Sequence, residues 1–554
     1  MINVEDWYPA DGLTLEPNAE RAATEIESSL ALTAGPGAGK TEMLAQRADF
    51  LLRTGSCRYP KRILAISFKV DASRNLKERV QRRCGTELAS RFDSYTFHAF
   101  AKRIIDRFRP VLTGENSLAP DYTIGSPKVS GKQIDFSDLV PLAIQVLINS
   151  PIACNAIRQT YSDVFLDEFQ DCTNKQYELI KVAFQNTNIR LTAVGDTKQK
   201  IMGWAGALDG VFATFAEEFQ AIPLNMYRNF RSKPKLLRLQ NQIILRLDPG
   251  SFMPEELMVG NEGDIYSCSF NNCQQEAEFL ANQINIWIKE EDTPLSEIAI
   301  LVSKQLDLYA ATVMTELEKL TIPYRNEQQL QDLSVEPAAR LVVDYLLSLY
   351  GDREPAAWTR LMNLLIPFTE DEEEQLIHRQ DWQRFIKSER KEALRDQLDS
   401  SYPNRWDFVR RFLNKIGLQT LTALSSDYES QARLREVIVE TNTKITGMLG
   451  SEPDLVKALA KFSDDQAVRI LTIHKSKGLE FDAVIMMAIE QEIFFGDQDE
   501  NRCAFFVGVS RAKNKLLLTH VNQRARPDGF TGRWNVQRHS QNEYLGYVHQ
   551  FLDE

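Results

Sequence analysis

Residues 34–41 read Ala34-Gly35-Pro36-Gly37-Ala38-Gly39-Lys40-Thr41, directly after the apolar run Leu30-Ala31-Leu32-Thr33. Alternating glycines leave the backbone free to curl, so that its N–H groups converge on a polyphosphate. Lys40 adds a point charge for the terminal phosphates, and Thr41 a hydroxyl for Mg²⁺. A helical pattern follows (Met43, Leu44, Ala48, Phe50, Leu51), and a helix N-terminus favours anions. Ala34 stands where the strict phosphate-loop pattern has glycine; a small residue serves there because it closes the strand.

Such a loop needs one carboxylate to hold the metal and another to polarise water. Asp167-Glu168 supplies both at the end of the apolar run Val164-Phe165-Leu166. Adjacent residues at the C-terminal end of a strand lie at the mouth of an open α/β sheet, where ligands bind.

These residues require strands ending at one edge. Ile63–Phe68, Val164–Asp167 and Leu191–Asp196 read as such strands, and a further one precedes Thr96-Phe97-His98. A second α/β block is expected from Ile222, with strands at Ile298–Val302, Val468–Ile473, Ala483–Met487 and Lys515–Thr519. Helical periodicity replaces strands at 105–160, after a Pro/Gly/Ser-containing start, and at 350–465. The expectation is an α/β protein with two α/β domains, each with a mainly helical insertion. The first occupies 1–104 and 161–221, interrupted by 105–160. The second occupies 222–349 and 466–554, interrupted by 350–465.

The 554 residues exceed one core. A hydrophobic content of 43% and a charged content of 26% are ordinary for a globular protein. No apolar run is long enough to span a bilayer, so a cytoplasmic protein without a membrane partner is expected. The seven cysteines are scattered, which favours reduced thiols. A net charge of −12 argues against coating nucleic acid by bulk charge but leaves room for a local basic groove.

The run Asp167-Glu168-Phe169-Gln170-Asp171 resembles the signature of the UvrD/Rep-like superfamily 1 DNA helicases. Other pieces resemble that family's motifs in order: Thr96-Phe97-His98; Gly195-Asp196 through Gln199 to Trp204 and Ala207; Asn229-Phe230-Arg231-Ser232; Thr472 through His474 to Glu480-Phe481; and Val507 through Arg511-Ala512. The resemblance spans nearly the whole chain. It implies two RecA-like P-loop domains and, with ATP and Mg²⁺ as cofactors, a 3′–5′ translocase on single-stranded DNA and duplex junctions. It implies catalytic roles for Lys40, Glu168, Gln199, Arg231 and Arg511. ATP would bind at residues 34–41 with Phe230 and Glu480, the metal at Thr41 and Asp167. DNA contacts are implied for Phe68, His98, Trp204, Thr472 and His474.

Departures from the family pattern are Ala19 for an adenine-selecting glutamine, Glu42 for an arginine, Met202 and Ala205 for tyrosine and arginine, and Asp71 for lysine. Both inserts are short. In size and motif layout the chain also resembles the small helicase component of the Gabija phage-defence system, which implies a nuclease partner. DNA repair and antiviral defence are therefore both open pathways. A motor subunit that senses ATP and DNA and regulates such a nuclease, with little unwinding of its own, is the alternative. A P-loop enzyme acting on a small molecule is the third reading, disfavoured by the Trp204 and Arg511 motifs. The basic tail after Val521 is expected to be a solvated surface segment.

Overall fold

In a computed structural model, the described residues are 2–552 except 69, 126–127, 200–207, 209, 328–332, 334–335, 353, 367–371, 400–403, 423, 425–427, 429–430, 452, 461, 463–466 and 528. Contacts divide the chain into two units. The first holds 1–276, 300–309 and 472–554; the second holds 277–299 and 310–471.

The first unit is organised by a six-stranded sheet. Its strands are β1 (Leu30–Ala34), β2 (Arg62–Ser67), β3 (Phe92–Thr96), β4 (Tyr161–Leu166), β5 (Arg190–Gly195) and β6 (Ile222–Met226). Their order is β3-β2-β4-β5-β1-β6, and every pairing is parallel. Both faces are covered, as parallel strands require. Leu30, Leu32, Ile63, Ala65, Phe165 and Val194 enter one core, with Met43, Leu44 and Phe50 of the helix Lys40–Arg53. The alternate residues Ala31, Leu64, Ile66, Val164, Leu191 and Ala193 enter another, with Phe97, Phe100 and Ile104 of the helix Phe97–Phe108. The period of two fixes the register, because a one-residue slip would exchange the faces. Strand β6, expected to open the second block, instead pairs along its whole length with β1 and closes this sheet.

The 105–160 stretch carries a short parallel pair, Thr123–Ile124 with Gln133–Ile134, and the helices Leu139–Asn149 and Pro151–Thr160. That helix pair bends by 102°. Its Leu139, Leu142, Val146 and Ala153 lie in the sheet's core. Among the described residues no single helix is long and apolar enough to cross a membrane. Further along the first unit, Phe481–Met486 pairs in parallel with Ala512–Gln523, which pairs in parallel with Asp264–Asn272.

The tail differs from expectation. Arg524 is 2% exposed and its Nη2 donates to Glu276 Oε2 at 2.8 Å and Glu490 Oε1 at 2.7 Å. Arg538 is also buried; its guanidinium lies 4.5 Å from the Trp534 ring centre and donates to Tyr309 Oη. Two buried carboxylates draw these arginines inward, so this part of the tail is packed and not solvated.

The second unit is mainly helical. Its helices Pro337–Tyr350, Pro355–Leu365, Glu372–Asp399, Arg405–Ile416 and Gln431–Ser451 share one apolar core, in which Tyr345 and Phe412 stack at 3.9 Å. A short parallel pair, Tyr324–Asn326 with Val468–Ile470, accompanies them. All seven cysteines are free.

Candidate nucleotide and nucleic-acid site

Strand β1 delivers the loop 34–39 into the helix Lys40–Arg53, whose N-cap Gly39 has φ 78°. Gly37 has φ 68°, and a Cβ there would overlap the Asn229 side chain and the Arg231 Cβ. Glycine is therefore required at Gly37 by both conformation and space. The Phe230 N–H donates to the Gly37 carbonyl at 2.9 Å, and Asn229 Oδ1 accepts the Arg231 N–H at 2.7 Å. The segment 229–232 thus lies directly against the phosphate loop. Lys40 Nζ donates to the Gly35 carbonyl at 3.2 Å. Burial holds its pKa below the usual lysine value, against the pull of Glu168, Asp196 and Asp167.

Asp167 continues β4, its N–H donating to the Ile66 carbonyl at 3.0 Å. Glu168 then turns into the left-handed region at φ 52°, a conformation that side-chain-bearing residues seldom adopt. This turn lets the Glu168 N–H donate to Asp167 Oδ1 at 2.9 Å. Gln170 Nε2 donates to Glu168 Oε2 at 2.5 Å, while Gln170 Oε1 accepts the Asp196 N–H at 3.0 Å. Gly195 must be glycine here because a Cβ would overlap Gln170 Oε1. The pair is split in character. Burial, with Glu168's charge beside it, pushes Asp167 above the usual carboxylate range. Burial also opposes ionisation of Glu168, but Lys477, Lys40 and the Gln170 hydrogen bond outweigh it and hold Glu168 below the usual carboxylate range.

A second layer closes around these acids. Gln199 Nε2 donates to Asp196 Oδ2 at 2.9 Å, and Gln199 Oε1 accepts from Arg511 Nη2 at 3.0 Å. Arg511 is 1% exposed, and also donates to the Val507 and Leu479 carbonyls at 2.9 and 3.1 Å. Burial and the nearby Arg231 lower its pKa to about 9. Arg231 Nε meets Glu480 Oε2 at 2.7 Å, and its Nη1 donates to the Ser510 carbonyl at 3.0 Å. Burial opposes ionisation of Glu480, but Arg231 holds it below the usual carboxylate range. The Phe230 ring is 56% exposed, with the Arg228 guanidinium 4.9 Å from its centre. Lys40, Thr41, Asp167, Glu168, Gln199, Phe230, Arg231, Glu480 and Arg511 thus all lie in the first unit.

Sequence reasoning missed Lys477. Its buried Nζ donates to Asp171 Oδ2 at 2.6 Å and to the Gln199 carbonyl at 2.8 Å, 4.0 Å from Glu168 Oε2. Nothing in the spacing of residues 472–481 marks this lysine above Lys475; only the fold selects it. Asn229 and Gln170 were missed likewise, although both fall inside quoted motifs.

The expected DNA-side residues are more dispersed. Half-buried Phe68 packs on Phe97 at 5.1 Å. His98 stacks on the exposed Phe136 at 4.1 Å, and burial lowers its pKa. Thr472 and His474 are half-buried at the end of the strand Val468–Thr472 and in the turn after it. Trp204, Met202 and Ala205 lie outside the described residues, as does the side chain of Asp71. Ala19 is buried on the helix Pro17–Thr24. Glu42 is committed to Arg79 at 3.1 Å and Arg83 at 2.9 Å.

Two family models match the chain. The UvrD/REP helicase N-terminal domain matches residues 15–128 and 121–220, and the UvrD-like helicase C-terminal domain matches 224–523. The chain is similar to DNA helicase II of Escherichia coli (strain K12), at 23% identity over 628 aligned positions covering 92% of this chain and 85% of the relative. It is similar to the ATP-dependent DNA helicase PcrA of Bacillus subtilis (strain 168), at 24% identity with 95% and 85% covered. A probable DNA helicase II homolog of Mycoplasma genitalium is 24% identical, with 93% and 86% covered. With its phosphate loop, acidic pair and paired arginines on two parallel α/β sheets, the chain belongs to the UvrD/Rep-like family, the ATP-hydrolysing DNA helicases of superfamily 1.

Proposed function

We propose that this chain translocates along single-stranded DNA in the 3′–5′ direction, driven by ATP, and opens duplex junctions in the cytoplasm, in DNA repair or phage defence. The observation that carries the reading is the link Asp196–Gln199–Arg511, in which one amide joins the end of β5 to the guanidinium after the helix Gln498–Val509. A change at the terminal phosphate is then felt by both sheets.

Residues 34–41 cradle the phosphates and Lys40 neutralises the terminal one. Glu168, kept ionised by Lys477 and Lys40, accepts the proton of the attacking water. Arg231 and Arg511 stabilise the charge that builds on the transferred group. Exposed Phe230 stacks on the adenine, and Glu480 orients Arg231. The Thr41 hydroxyl and the Asp167 carboxylate are hard oxygen donors, the set Mg²⁺ prefers, and a divalent charge offsets the burial that pushes Asp167 up. When bound, the ion neutralises phosphoryl oxygens. Phe68, His98, Trp204, Thr472 and His474 form the DNA track. Residues 1–104 with 161–221, and 222–349 with 466–554, act as the motor domains around the inserts 105–160 and 350–465.

The test is unwinding by purified protein of duplexes carrying a 3′ or a 5′ single-stranded tail, beside DNA-stimulated ATPase. Opening of 3′-tailed substrates is expected. Preference for 5′ tails would overturn the polarity, and ATPase indifferent to DNA would overturn the motor reading.

A second reading is favoured by one observation. The aligned spans of 628 and 653 positions exceed the 554 residues of this chain, so relatives carry residues opposite gaps here. A shorter motor suits a subunit that senses ATP and DNA and regulates a partner nuclease.

A further inference from the structure

We propose that a cavity on the first unit, at the end of the first sheet remote from the phosphate loop, binds the chain terminus of an acidic partner protein: a free carboxylate on a large apolar residue. The cavity has a volume of about 360 Å³, within the usual range for ligand pockets. Its lining includes residues at the N-terminal ends of parallel strands: Arg62 of β2, Asp93 of β3 and Tyr161 of β4. The phosphate loop follows the opposite, C-terminal end of β1, so the two sites do not overlap.

The floor is apolar. Phe100 and Ile104 are each 1% exposed, and Ile157 and Tyr161 are also buried. The rim is cationic. Arg103 and Arg107, one turn apart on the helix Phe97–Phe108, are exposed and line the opening. Asp93, the one carboxylate among the lining residues, and Asp106 are committed elsewhere. Asp93 accepts from Arg62 Nε at 2.8 Å and Nη2 at 2.6 Å, and from Tyr161 Oη at 3.1 Å. Asp106, between the two rim arginines in sequence, is held by Lys102 and by Tyr122 Oη at 2.7 Å. Among the described residues, Arg103 and Arg107 touch only rings, Tyr95 and Phe108, each at 5.5 Å. Two guanidiniums thus face solvent above an apolar floor with no ion pair among the described residues.

This chemistry selects its ligand. Guanidinium pairs carboxylates through two parallel hydrogen bonds. A side-chain carboxylate cannot also carry a large apolar group, whereas a chain terminus holds its carboxylate and its side chain on one Cα. The terminal residue fills the floor and meets one arginine, and a preceding acidic residue meets the other. A nucleic-acid backbone instead needs a row of cations along an open groove.

The test is fluorescence anisotropy on the full chain with a labelled peptide of alternating Gly and Asp ending in Phe with a free carboxylate. Binding is expected, weakened about tenfold or more by amidating the terminus, by ending in Ala, and by either Arg103→Ala or Arg107→Ala. DNA-stimulated ATPase of both variants should match the unaltered chain. Equal binding of acid and amide, wild-type binding by both variants, or no binding at millimolar peptide would overturn the proposal. So would loss of single-stranded DNA affinity in the variants together with displacement of the peptide by DNA, which would make this face a nucleic-acid surface.

Discussion

The Lys477 ammonium lies 2.6 Å from Asp171 Oδ2, and both side chains are buried beside the carboxylate of Glu168. One cation therefore serves two acids: it pairs with Asp171 and keeps Glu168 ionised by proximity.

Lys477→Met removes that charge. Glu168 is then left with Lys40, Gln170 and Arg511, and its pKa rises toward the ordinary carboxylate value. A base works only above its pKa, so the acid limb of the ATPase pH profile should move to higher pH. Asp171 also loses a buried partner, at a cost of about 3–5 kcal/mol, so the thermal midpoint should fall. Lys477→Arg should restore the profile in part. An acid limb in Lys477→Met identical to that of the unaltered chain would remove Lys477 from control of the base.

Glu168→Gln keeps an oxygen for the Gln170 donor and spares the fold. ATP binding should persist while turnover falls on the order of a hundredfold or more, the usual worth of a positioned base. Lys40→Ala should instead weaken ATP binding itself. Near-normal ATPase in Glu168→Gln would place the base elsewhere.

The sequence exposed the parts of the site that chain-local chemistry defines. Gly37 and Gly39 are needed for a loop wherever it sits, and Asp167-Glu168 declares itself by ending an apolar strand. Contacts set by packing stayed hidden. Strand β6 reads like any short strand, and only its register against β1 shows which sheet owns it. Arg524 and Arg538 look solvated in a polar tail; their carboxylate partners Glu276 and Glu490 lie far away in sequence. Lys477 is one lysine among several, and its distinction is a neighbour 306 residues away.

The two arginines should separate experimentally. Arg511 is buried and feeds four acceptors, so Arg511→Ala takes a donor from the Val507 and Leu479 carbonyls, Gln199 Oε1 and Ser510 Oγ and lowers the melting temperature as well as turnover. Arg231→Ala frees only Glu480 and the Ser510 carbonyl. Its fold should hold, and Glu480 should lose the charge that keeps its pKa low. In both variants turnover should drop more than ATP affinity, because the contact strengthens as charge develops. Loss of affinity with turnover preserved in both would count against a transition-state role.

Grip on DNA is expected to rest heavily on Trp204, since Met202, Ala205 and Asp71 replace the family's tyrosine, arginine and lysine. Stacking one base on one aromatic contributes roughly 1–3 kcal/mol. Trp204→Ala should therefore weaken single-strand binding by on the order of ten- to a hundredfold and abolish DNA stimulation while sparing basal ATPase. With one strong platform and short inserts to brace a duplex, the chain alone should open only short duplexes, and a partner that adds DNA contacts should extend the reach. Unwinding measured against duplex length decides the matter. Separation of duplexes hundreds of base pairs long by the chain alone would make it a self-sufficient helicase and remove the reason for a partner.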